Sequence, residues 1–133
     1  MDTLELAQKL IRIESVTPKD GGCMDLIIEQ LQPLGFIAER LAFGEGAERV
    51  DNLWLRLGTA KPLFCFLGHT DVVPTGPESH WHYPPFAATA RDGWLHGRGA
   101  ADMKSGIAAM VGACRQFLQE APLQQGSIAL LLT

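Results

Sequence analysis

Leu63-Phe64-Cys65-Phe66-Leu67 runs without a polar side chain into Gly68-His69-Thr70-Asp71. An unbroken apolar run matches a strand covered on both faces, because a solvated face would impose alternation. Residues two apart in an extended chain project to the same side. His69 and Asp71 can therefore both face the crevice at this strand's carboxyl end. A second apolar stretch, Ser127-Ile128-Ala129-Leu130-Leu131-Leu132-Thr133, also reads as a buried strand. Between the two, Ile107, Met110, Val111, Cys114, Phe117 and Leu118 form one stripe at helical spacing, and Pro122 follows. That pattern predicts an amphipathic helix. Strand, helix and strand in succession point to an α/β layered fold. The last apolar strand meets the end of the sequence, as though the sheet were cut part-way.

Working outward, Thr3 to about Ser15 has Leu4, Ala7, Leu10, Ile11 and Ile13 near helical spacing. Thr3 is its expected N-cap, and Pro18 pushes the preceding residue out of helical space. A second helix is expected from about Gly22 to Leu34, with Pro33 and Gly35 marking its end. Residues 36–41 and 52–57 read as strands, the latter with period two. The Pro- and Gly-rich stretch from Gly68 to Gly99 carries only one brief strand candidate, Gly93–Gly97. A loop of that length in a compact domain is usually functional or disordered.

Composition narrows the function classes. The 133 residues hold 11 Lys and Arg against 15 Asp and Glu, a formal charge of −4, with 47% apolar residues. The acidic balance argues against nucleic acid, whose binders normally show a basic stripe. No apolar run approaches the roughly 20 residues that cross a bilayer. Met1-Asp2-Thr3-Leu4-Glu5 has no basic n-region of a signal peptide. The expectation is a cytoplasmic protein without membrane or nucleic-acid partners. Cys23, Cys65 and Cys114 are odd in number and far apart, as reduced, chemically idle thiols would be.

Two places could carry chemistry. In His69-x-Asp71, one ring nitrogen of the histidine could bind a cation while the carboxylate takes the other N–H. Gly97-Arg98-Gly99-Ala100-Ala101-Asp102-Met103-Lys104 precedes the strong helix. It lacks the Gly-Lys-Ser/Thr of a phosphate loop and the third glycine of a dinucleotide fingerprint. Asp102 reads either as that helix's N-cap or as a carboxylate bridging two cations, and the two readings can coexist. His80-x-His82 lies in a polar-aromatic loop with nothing regular to hold both imidazoles, and His96 sits in a brief strand candidate. Neither is expected to act.

The combination says more than its parts. Ser15-Val16-Thr17-Pro18, Gly68-His69-Thr70-Asp71-Val72-Val73-Pro74-Thr75-Gly76-Pro77, Trp81 with Pro85-Phe86, Asp92-Gly93 and Gly97 to Lys104 occur in this order. Over essentially its whole length the sequence resembles the N-terminal part of a family of zinc-dependent exopeptidases and deacylases. That family includes acetylornithine deacetylase, aminoacylase and glutamate carboxypeptidases. H-T-D and G-R-G-x-x-D-M-K mark the wider family. S-V-T-P and H-T-D-V-V-P-T-G-P point to its desuccinylase branch.

The resemblance implies a partial three-layer α-β-α sandwich with a mostly parallel sheet, the first part of a di-zinc catalytic domain. It implies that His69 binds one Zn2+, that Asp102 bridges both, and that Asp71 orients His69. A cis peptide at Asp102–Met103 is part of the same pattern. Co2+ would also suit such a His and carboxylate site. The implied substrate is a small N-succinylated amino acid, N-succinyl-LL-2,6-diaminopimelate, cleaved to succinate and LL-2,6-diaminopimelate in lysine and diaminopimelate biosynthesis. Family members continue beyond the strand equivalent to Ile128–Thr133 into a glutamate pair that supplies the general base and a ligand. They also carry a dimerisation domain and act as homodimers. Residues 1–133 are accordingly expected to be a truncated catalytic domain without that second domain, inactive alone and prone to aggregate. Two alternatives stay open: another deacylase of the same family, taking acetylornithine or an N-acyl amino acid, and a non-catalytic remnant or interaction fragment.

Overall fold

The computed structural model describes residues 1–133. Its elements are α1 (Thr3–Arg12), α2 (Cys23–Leu31), β1 (Ile37–Phe43), β2 (Val50–Leu57), β3 (Leu63–Gly68), β4 (Thr89–Arg91), β5 (Trp94–His96), α3 (Ser105–Glu120) and β6 (Ser127–Leu132). Strands run in the order β1-β2-β6-β3, with β4 and β5 forming a separate hairpin. β1 pairs antiparallel with β2, β2 antiparallel with β6, and β6 parallel with β3. The α/β class is as expected. The sheet is mixed: a short connection joins antiparallel β1 and β2, α3 crosses between the parallel pair β3 and β6, and β2 pairs antiparallel with the distant β6.

The helices share one core. Leu10 of α1, Ile27 of α2 and Ile107 of α3 join Leu53, Leu55, Leu130 and Leu132 of the sheet, all fully buried. In the β2–β6 register Leu53 opposes Leu132 and Leu55 opposes Leu130, so their side chains share a face. One helical layer and the sheet are thus present. The opposite face carries Leu67, 67% exposed, and Ile37, 77% exposed. Here the reading of Leu63–Leu67 as a strand covered on both sides is corrected. Among residues 1–133 it lies at the sheet edge, with Phe64 61% exposed and Cys65 exposed. A groove of about 540 Å3 between β3 and α3, lined by Phe64, Phe66 and Phe117, continues this apolar surface.

Local details refine the boundaries. The α1 N-cap is Asp2, not Thr3: the Asp2 carboxylate accepts from the Glu5 N–H at 2.7 Å. An aspartate cap satisfies an otherwise orphaned amide and places negative charge at the helix's positive end. Asp2→Ala should cost about 1 kcal/mol of stability, read as a lower denaturant midpoint. α2 ends in a short tighter turn, Gln32–Leu34, and stops at Gly35 with φ +94°. Cys23 and Cys114 are buried, and burial pushes the Cys114 thiol up to about 11. All three cysteines are unpaired.

The long segment before α3 is ordered by packing rather than by regular structure. The Trp81 indole N–H donates to the Thr75 carbonyl at 3.0 Å, and the Arg98 guanidinium lies 5.0 Å from the Trp81 ring centre. Gln8 of α1 donates its amide to the Ala88 carbonyl, tying the segment to the helical layer. Thr89 to Arg91 is a strand missed by sequence periodicity, paired with the expected Trp94–His96.

Candidate metal centre

Two segments converge at the carboxyl ends of β3 and β6, where open α/β sheets place their ligands. Leaving β3, the chain turns through His69–Val72. The Thr70 N–H donates to the Thr133 carbonyl at 2.8 Å, and the Thr133 N–H to the Gly68 carbonyl at 3.0 Å, extending the β3–β6 ladder past its last pair. On the other side, Val72 N–H donates to the Ser15 carbonyl and Thr17 N–H to the Val72 carbonyl, at 2.8 and 2.9 Å. The Ser15 hydroxyl donates to the Thr70 carbonyl. His69 and Asp71 are therefore presented by a backbone fixed from two sides.

Asp20 was not singled out from sequence, yet it joins these parts. Its carboxylate accepts from the Thr70 hydroxyl at 2.8 Å and from the Gly22 and Met24 amides at the start of α2. The signal available was the Asp-Gly spacing ahead of a predicted helix, which marks a cap. No spacing rule could reveal the link to Thr70, fifty positions away.

The second segment is the Gly97–Lys104 turn. Gly99 has φ +84°, and a Cβ there would lie 2.6 Å from Val72 Cγ1, so only glycine lets the two segments meet. The Asp102–Met103 peptide is cis, as the resemblance implied. α3 begins at Ser105 without a side-chain cap, so the N-cap reading of Asp102 is corrected. Its carboxylate instead places Oδ1 2.8 Å from His69 Nε2.

The imidazole geometry decides what can occupy this point. His69 Nδ1 lies 3.0 Å from the Asp71 backbone carbonyl and 3.4 Å from its carboxylate. A carbonyl only accepts, so Nδ1 carries a proton and Nε2 is the nitrogen left to face Asp102. With Nε2 unprotonated, it and Asp102 Oδ1 are two electron-rich atoms at hydrogen-bonding distance. Only a shared proton or a cation between them makes that contact favourable. Burial alone would lower the His69 pKa, but the Asp71 carbonyl and the Asp102 carboxylate outweigh it and raise it above the usual 6.5. The same donors suit a divalent metal: an imidazole whose Nδ1 proton is held by a carbonyl, and a carboxylate whose side chain is 85% exposed. Asp71 thus holds the ring chiefly through its backbone, with its carboxylate second.

His80, His82 and His96 take no part in this centre. No group of three or more His, Cys, Asp and Glu side chains that could hold a metal gathers in residues 1–133. His96 instead packs against Tyr83, ring centres 4.7 Å apart.

Residues 65–133 match the model of peptidase family M20/M25/M40. The chain belongs to that family. Membership implies a metal cofactor, in keeping with the donors at His69 and Asp102. Among curated relatives, the succinyl-diaminopimelate desuccinylase of Methylococcus capsulatus is 61% identical over 132 residues, 99% of this chain and 34% of that protein. The desuccinylase of Marinobacter nauticus is 56% identical over 131 residues, 98% of this chain and 34% of that one. The chain thus spans about a third of the length of the curated relatives it matches. Human carnosine dipeptidase 1 superposes with a TM-score of 0.81 at 26% identity, over 98% of this chain and 31% of that one. An M20 family metallo-carboxypeptidase from Sulfolobus solfataricus gives 0.84 at 24% identity, over 99% and 30%, a likeness of fold.

No helix is long and apolar enough to cross a membrane.

Proposed function

We propose that residues 1–133 form the first part of the catalytic domain of a di-zinc amide hydrolase that cleaves N-succinyl-LL-2,6-diaminopimelate to succinate and LL-2,6-diaminopimelate. In this reading His69 and Asp102 hold the metal, Zn2+ or Co2+, with Asp102 bridging a pair. The single observation that carries it is the 2.8 Å approach of His69 Nε2 to a carboxylate oxygen of Asp102, at the carboxyl end of a sheet. The identity to desuccinylases narrows the substrate to an N-succinylated amino acid.

His69 and Asp102 would hold the metal, which would supply an acidified water and polarisation of the scissile carbonyl. The residues of this chain do the positioning. Asp71 keeps the proton on His69 Nδ1 and the ring in place. The backbone pairing of residues 15–17 with residue 72 fixes the depth of His69. The Gly97–Lys104 turn delivers the Asp102 carboxylate. Turnover further needs a general base and more donors than these two, so residues 1–133 by themselves are expected to be inactive. A homodimer of the complete enzyme, in the cytoplasm, belongs to the same proposal.

The test is a chimera in which this chain replaces the corresponding first third of the Methylococcus capsulatus desuccinylase. The chimera should hydrolyse the succinylated substrate, and residues 1–133 alone should not. Turnover by the isolated chain would overturn the division of labour. A well-folded, metal-loaded chimera without activity would overturn the catalytic reading and favour a non-catalytic remnant.

A further inference from the structure

Lys104 is 1% exposed and has no carboxylate partner. Its Nζ donates instead to the carbonyls of Leu10 and Ile13, both at 2.7 Å. Those carbonyls belong to the last turn of α1 and its C-cap, where each accepts one backbone N–H, from Ile13 and from Ser15, and the helix dipole favours a cation as second donor. The buried Cys23 thiol of α2 is a further neighbour. The stem is also fixed. Lys104 N–H donates to the Gly99 carbonyl at 2.8 Å, and a Cβ at Gly99 would come within 3.2 Å of Lys104 Cδ. Two residues before this anchored side chain stands Asp102, whose own carboxylate is largely exposed and touches only His69.

A mostly exposed carboxylate is not positioned by its own packing. Something must hold the backbone that carries it. We propose that Lys104 is the positioning residue for Asp102, pinning the metal-carboxylate turn to the C-terminal end of α1 through two buried hydrogen bonds. The inference rests on the reading of His69 and Asp102 as metal donors. Groups that orient metal ligands typically set affinity by about 10–100-fold when lost.

The experiment uses the chimera described above, with zinc affinity from chelator competition and the visible spectrum of the cobalt-substituted protein as readouts. Lys104→Met should weaken zinc binding at least about tenfold and alter the cobalt spectrum. Leu55→Ala, which loosens the core without touching the turn, should lower the melting temperature yet keep affinity and spectrum. If Lys104→Met is insoluble, Lys104→Gln is measured by the same criteria, with a smaller loss expected because one amide donor remains. Unchanged affinity and spectrum in the soluble Lys104 variant would overturn the proposal. So would a Leu55→Ala protein that weakens zinc equally, since the effect would then be general destabilisation. His69→Ala binding zinc as tightly as the parent would sink the donor reading beneath it. Loss in His69→Ala but not in the Lys104 variant would sink the positioning role alone.

Discussion

Asp102→Asn in the chimera should abolish measurable hydrolysis and weaken metal binding by more than the roughly 100-fold upper range of an orienting partner. The reason is both charge and hydrogen-bonding sense. The carboxylate lies 2.8 Å from His69 Nε2, so the two together attract a cation. An asparagine of the same shape is neutral, and its amide N–H can donate directly to Nε2. It would occupy the lone pair that a metal needs. Asp71→Asn should be milder, because the Asp71 backbone carbonyl, at 3.0 Å, still holds the Nδ1 proton. Metal content by elemental analysis and turnover of the succinylated substrate measure both variants. An Asp102→Asn protein that retains bound metal and activity would remove Asp102 from the centre.

The largest effect on stability is expected from Leu55→Ala. Leu55 is fully buried in β2, opposite Leu130 and within the core shared by all three helices. Truncation removes buried methyl groups and leaves a cavity that the sheet, held by strands on both sides, cannot close. The expected cost is about 2–5 kcal/mol, read from the shift of the unfolding transition. The same truncation at Leu67, 67% exposed, should change stability little in residues 1–133. Equal losses at both positions would mean that the bare face of the sheet is covered in solution.

The layout of elements was legible because periodicity survives in sequence. The stripe of α3 and the alternation of β2 report burial directly, since the side chains facing the core are the apolar ones. Sheet order was not legible. The apolar run Leu63–Leu67 reads as a central strand, and in residues 1–133 it is an edge. Apolarity records what a strand is suited to touch, whereas its neighbours depend on segments far away in the chain. The β4 strand was lost for a related reason: three residues give too short a pattern to register.

The site divides in the same way. By itself the sequence determined the α/β class, the order of the elements and the residue types able to hold a metal, through local pattern and the wording of two motifs. Tertiary structure decided the rest. It set Asp102 against His69, thirty-three positions earlier. It gave the His69 proton to a backbone carbonyl, joined Asp20 to Thr70, and buried Lys104 against the end of α1. Each of these contacts links segments that only folding brings together. Taking these polar groups out of water costs free energy that pairing them across the fold offsets, and local spacing encodes neither.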